Sequence, residues 1–129
     1  MNAPARAVYA LLCLLLASTL PGCASTPAGN ALEHVVVVWL KDPGNEAHRR
    51  IILVESEVLR TIPGVLSLQS GMVVPGERDI VDSSFDVALI VSLTDEAAME
   101  AYLEHPVHVK LVDETLKPLV SKIRVYDFQ

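Results

Sequence analysis

A chain of 129 residues with 51% hydrophobic and 20% charged side chains has room for one domain at most. Its formal net charge of −6 repels phosphate backbones, which argues against a nucleic-acid partner. Both cysteines, Cys13 and Cys23, fall in the first 23 residues, so the remainder has no disulfide and no thiol chemistry.

Arg6 is the sole charge before Glu33, and Val8 to Leu16 is a continuous apolar run followed by Leu20-Pro21-Gly22-Cys23. This layout predicts a secretory signal over residues 1–22, since the run is shorter than the roughly 20 apolar residues of a spanning helix. Gly22-Cys23 resembles a lipoprotein box, in which Cys23 carries the lipid and anchors the chain in a membrane. The alternative is an ordinary signal cut near Ala24, with Cys23 discarded. A cysteine this close to a small-residue cut favours the lipid. By resemblance to enterobacterial lipoproteins, Ala24 after that cysteine implies the periplasmic face of the outer membrane. Residues 23–31 are small, polar and rich in turn formers, and are expected to act as a flexible tether.

The folded part is expected over residues 32–129. Glu33 to Lys41 reads as a strand apolar on both faces, which therefore has to be covered on both. Asp42-Pro43-Gly44-Asn45 is a turn into a helix from Glu46 to Thr61, with Ala47, Ile51, Val54, Val58 and Ile62 on one face at helical spacing. Ile62-Pro63-Gly64 ends it. Val65 to Val74 is a second strand, with Leu66, Leu68 and Met72 on one side. A polar loop over residues 75–84 leads to a third strand, Phe85 to Leu93, with Phe85, Val87, Leu89, Val91 and Leu93 on one face and Ala88 and Ile90 on the other. Thr94 is the expected cap of a helix whose apolar face includes Ala98, Tyr102 and Leu103. Pro106 stops that helix and starts another, in which Val109, Val112 and Leu116 recur. Pro118 is expected to end it, and SKIRVYDF alternates as a last strand. The order is the split βαβ of α+β ferredoxin-like folds, a four-stranded antiparallel sheet with helices on one face.

HPVH at 105–108, Leu-Lys-Pro at 116–118 and RVYDF at 124–128 resemble the stress-responsive A/B barrel (Dabb) family. EHVVVVWLK at 33–41 and IPGVLSLQSG at 62–71 fit the same pattern. The resemblance covers residues 32–128 and implies a homodimer that closes into an α/β barrel. The residues lead to the same expectation, because two helices cover one face of a four-stranded sheet and these strands are apolar on both. The alternative is a monomer whose second face is covered by the tether or a ligand.

Four histidines are candidates for proton exchange near neutral pH. His48, beside Arg49 and Arg50, reads as a solvated surface residue, and His105, beside Pro106, as a cap for backbone N–H groups. His34, on the first strand, and His108, in the first turn after the break, are expected to meet across a small cavity with Tyr102 nearby. One Dabb branch, the plant polyketide cyclases, uses a first-strand histidine, the second histidine of HPxH and a tyrosine before it. The resemblance makes His34, His108 and Tyr102 the counterparts, with His108 as general base. A histidine pair bridging helix and strand is the structural alternative, and it is the reading favoured here. His105 and His108, with Glu104 or Asp113, lack a third ligand at motif spacing, so no metal is expected. No cofactor motif is present either.

Two functions remain. The favoured one is a lipid-anchored, non-catalytic envelope protein whose dimer binds a small apolar molecule. The other is an enzyme, a polyketide-cyclase-like lyase or isomerase, acting on a small carbonyl compound.

Overall fold

The computed structural model describes residues 31–129. The expected signal, Cys23 and all of the tether except Ala31 lie outside the described residues. Four strands, β1 (Leu32–Leu40), β2 (Val65–Met72), β3 (Val87–Leu93) and β4 (Val120–Phe128), form one antiparallel sheet in the order β2-β3-β1-β4. Its central pair is β1 and β3, the two strands whose sequences are apolar on both faces.

Helices lie on one face. α1 spans Glu46–Ser56, capped by the Asn45 side chain, which accepts from the His48 N–H at 3.0 Å. α2 spans Glu96–Glu104. Its cap is Asp95, whose carboxylate accepts from Ala98 N at 2.8 Å. Thr94, the cap expected from the sequence, instead donates its backbone N–H to the Gly64 carbonyl at 3.0 Å and ties the end of β3 to the turn before β2. Gly64 suits that turn: its φ is +89°, and a Cβ there would lie 2.7 Å from the Ala98 Cβ. α3 starts at Pro106 and runs to Leu111. A π-helical turn, Val112–Leu116, and a last α-helical turn, α4 (Lys117–Leu119), carry the chain into β4. Pro118 thus lies within the final turn, and the helix runs one residue past the end the sequence suggested.

The face of α1 differs from expectation. Ile52, Ser56, Leu59 and Ile62 are buried, whereas Ile51, Val54 and Val58 are exposed. α1 is apolar on several sides, so spacing alone does not choose among them. An ion pair chooses: Arg49, one turn before Ile52, reaches Asp86 just ahead of β3 with Nη2 and Oδ1 2.7 Å apart. After Ser56 the chain tightens into a 3₁₀ turn, Glu57–Thr61, which swings Leu59 inward.

Two further expectations shift for local reasons. A bulge between Val65 and Ser67 turns Leu66 out to solvent and leaves Leu68 in the core. In α3, Val109 is exposed and Leu111 is buried. The step from Leu111 to Leu116, both buried, is the five-residue spacing of the π turn.

The core beneath the helices is made of Val38, Val87, Leu89, Val91, Leu93, Tyr102 and their neighbours. Among the described residues, no helix packs on the opposite face of the sheet. The pairing register sets Val35 beside Ile90 and Tyr126, and Val37 beside Ala88 and Arg124, so a row of apolar side chains faces outward there. Tyr126 and Phe128 are exposed, and the Lys122 ammonium stands 4.0 Å over the Trp39 ring.

Candidate functional site

His34 is the third residue of β1, and the strand's alternation turns it toward the helices with Val36 and Val38. It is only 5% exposed. Tyr102, in the last turn of α2, is 2% exposed and packs edge-on against His34 with ring centroids 5.8 Å apart. The break at His105-Pro106 then brings His108 back against Tyr102, with centroids 4.6 Å apart. His105 makes that break as its sequence position suggests: its Nδ1 accepts from the Val107 N–H at 3.2 Å. The three residues singled out from the sequence therefore line one cavity, and the tyrosine ring contacts both imidazoles.

The cavity holds about 190 Å³ and is otherwise walled by apolar side chains, among them Val36, Leu59, Leu89, Leu111, Leu116 and Val125. Ser56 also lines it, but its hydroxyl proton is committed to a 2.6 Å bond to the Ile52 carbonyl. The mouth lies by the edge strand β4, where Ile123 and Val125 remain exposed.

Each imidazole is held by its Nδ1. His34 Nδ1 meets a carboxylate oxygen of Asp127 at 2.6 Å. An ionised carboxylate offers only lone pairs, so the nitrogen donates. His108 Nδ1 is 3.0 Å from the Leu103 carbonyl and donates to it for the same reason. Among the described residues, His34 Nε2, His108 Nε2 and the Tyr102 hydroxyl make no hydrogen bond. Burial, partly offset by the bond to Leu103 and reinforced by His34, lowers the pKa of His108. Burial pushes the Tyr102 hydroxyl up to about 12, so it stays protonated at neutral pH. The arrangement thus offers two acceptor nitrogens and one hydroxyl in an apolar enclosure.

Asp127 is the site residue that reading the sequence missed. Its place depends on the β1–β4 register, which pairs His34 with Asp127 directly. Alternation in RVYDF gives its face but not its partner. His48, read as a solvated surface residue, is half-buried, and its Nδ1 is buried without a hydrogen-bond partner among the described residues. The row His48, Ile52, Ser56 turns toward the sheet with the rest of α1. Among the described residues no group of three or more His, Cys, Asp or Glu side chains is placed to hold a metal ion.

The model of the stress responsive A/B barrel domain matches residues 32–129. The chain belongs to the Dabb family. A Dabb family protein with a ferredoxin-like fold from Mesorhizobium loti superposes with a TM-score of 0.64 at 24% identity, over 78% of this chain and 97% of that one. A dimeric ferredoxin-like protein of unknown function from Thermobifida fusca gives a TM-score of 0.62 at 18% identity, over 78% and 91% of the two chains. Hydroxynitrile lyase from Passiflora edulis gives 0.65 at 17% identity, over 77% and 92%. At these identities the similarity establishes the Dabb fold, and the chemistry has to be argued from the cavity. Comparison with curated proteins finds no match.

Proposed function

We propose that this Dabb domain works as a homodimer, packed through the open face of its sheet, and takes a small, largely apolar molecule into the cavity under its helices. The observation that carries the ligand reading is the set of unpaired polar atoms on His34, Tyr102 and His108 inside an apolar wall. Among the described residues no protein group bonds these atoms, and they open onto the cavity, so they meet whatever fills it, water or a ligand. The volume, about 190 Å³, equals about six waters at ~30 Å³ each and falls below the ~300–1,000 Å³ of drug-sized sites, so the ligand is small. Apolar side chains on the open face, together with relatives described as dimeric ferredoxin-like proteins, support the homodimer. The Gly22-Cys23 box supports a lipid anchor on Cys23, which would hold the domain in the cell envelope at the periplasmic face of the outer membrane.

Calorimetric titration with a panel of small neutral aromatic and aliphatic molecules tests the ligand reading. Val125→Trp closes the mouth from an exposed position and is expected to leave the thermal midpoint nearly unchanged while abolishing binding. Binding that survives Val125→Trp would place the ligand elsewhere.

A second reading, acid–base catalysis on a small carbonyl compound, is favoured by the His34–Asp127 pair. The Asp127 carboxylate holds the proton of His34 on Nδ1 and so orients its Nε2 lone pair as a fixed partner to the base. His108, whose depressed pKa keeps it neutral, would serve as the base, with His34 as its partner and the Tyr102 hydroxyl as donor to an enolate oxygen. One structural neighbour is named a hydroxynitrile lyase, and this reading would make the present chain a lyase- or isomerase-like enzyme too. Under it, His108→Ala keeps the fold but loses about 10²–10⁴-fold in turnover of a β-ketoacyl substrate. Because the pKa lies below 6.5, the base form persists into mildly acidic solution, and wild-type turnover falls off only below that value. A variant that loses thermal stability while turnover by the folded fraction is unchanged would leave the binding reading alone.

A further inference from the structure

Resting on the cavity reading above, we infer that Asp127 sets the direction in which hydrogen bonds run between the cavity and its occupant: the cavity accepts, and its ligand is a small neutral molecule bearing a hydroxyl group. The positions of two protons set this direction. Asp127 at 2.6 Å fixes one of them on His34 Nδ1, and the Leu103 carbonyl at 3.0 Å fixes the other on His108 Nδ1. In a neutral imidazole the second nitrogen is then a lone pair, so both Nε2 atoms are acceptors. His34 and Tyr102 are 5% and 2% exposed, so their free polar atoms are reached only through the cavity.

A ligand whose polar atom only accepts, such as a ketone or ether, meets two lone pairs here and finds a donor solely in Tyr102. A hydroxyl matches the site in both directions, giving its proton to an Nε2 and accepting from the tyrosine. Sites built around one hydrogen-bond direction discriminate strongly against the mismatched analogue, because a buried polar group is left unpaired. The control lies at the surface. Asp127 is on the edge strand β4 with its side chain 46% exposed, so removing its carboxylate leaves the core intact while freeing His34 to move its proton to Nε2.

The test is imidazole ¹⁵N NMR on the full chain at mildly alkaline pH, followed by titration with phenol and with anisole, which share a ring but differ in carrying O–H or O–CH₃. The wild type is expected to show Nδ1–H with unprotonated Nε2 at both His34 and His108, and to bind phenol about tenfold or more tighter than anisole. Asp127→Ala should shift His34 toward the Nε2–H form and narrow that preference. A proton on His34 Nε2 in the wild type, as neutral tautomer or imidazolium, would overturn the inference without any variant, as would equal affinity for the two probes. If neither probe binds while Nδ1–H is seen on both rings, the cavity reading itself falls and takes the ligand class with it. A contrary tautomer defeats this inference alone.

Discussion

Asp86→Ala is expected to lower stability by about 3–5 kcal/mol, the usual cost of breaking a buried ion pair from one side. The Asp86 carboxylate is 2% exposed as a residue and serves three elements at once. Oδ2 accepts the Leu40 N–H at 2.9 Å, and Oδ1 accepts the Gly44 N–H at 2.8 Å and both Nε and Nη2 of Arg49, at 3.0 and 2.7 Å. Alanine would leave a buried backbone donor at Leu40 unpaired and strand a guanidinium that is itself mostly covered. It would also release the end of β1, the turn into α1 and the rotation of α1 together.

Urea denaturation at one fixed protein concentration measures the loss, since a dimer's midpoint depends on concentration. The pH dependence has a definite sign. Burial alone would raise the pKa of Asp86, but the bonds from Leu40, Gly44 and Arg49 outweigh it, and the folded value lies below 3.8. A depressed carboxylate contributes stability that is complete above its unfolded value and disappears as pH falls through the folded one. The gap between wild type and Asp86→Ala should therefore stay constant above about pH 3.8 and shrink below it. A loss under ~1 kcal/mol, or a gap that widens in acid, would mean that Asp86 does not organise this corner.

Ile90→Lys is expected to weaken self-association by about 100- to 1,000-fold while leaving the monomer folded, corresponding to ~3–4 kcal/mol for an unpaired charge sealed in an interface. Ile90 stands on β3, flanked on the open face by Val35 of β1 and Gln69 of β2. In the monomer that face meets water, so a lysine there keeps its ammonium hydrated and costs little. In a dimer packed through the open face it is cut off from water, and Glu33, the neighbouring carboxylate on that face, is already held by the Ser92 hydroxyl at 2.7 Å. Sedimentation velocity of wild type and variant separates these states. Equal sedimentation of the two as dimers would move the interface to another surface.

Much of the fold was legible because several signals agreed. β1 and β3 are apolar on both faces, and Asp-Pro-Gly-Asn, Ile-Pro-Gly and His-Pro each mark a boundary that the backbone respects. Alternation put Val87, Leu89, Val91 and Leu93 on one face, and that face is buried; Phe85, expected beside them, lies before β3 and packs edge-on against Trp39 on the open side instead. The rotation of α1 was not legible, because Ile51, Ile52, Leu53 and Val54 follow one another and give no preferred stripe. Arg49 and Asp86, 37 residues apart, settle that rotation through space. The meeting of His34, Tyr102 and His108 could be anticipated from the strand face and the helix break. Their hydrogen-bond directions could not, since these depend on the β1–β4 register and on the Leu103 carbonyl beside the broken helix. The π turn that puts Leu111 and Leu116 both inward has no residue signature of its own.

The most direct measurement is a crystal structure of the full chain grown with the tightest-binding molecule of the panel. The account predicts ligand density between the rings of His34 and His108, within hydrogen-bonding distance of an Nε2 and of the Tyr102 hydroxyl, and a two-fold partner seated on the open face of the sheet. Density on the open face or on the outer side of α1, with the cavity under the helices left unchanged, would contradict it.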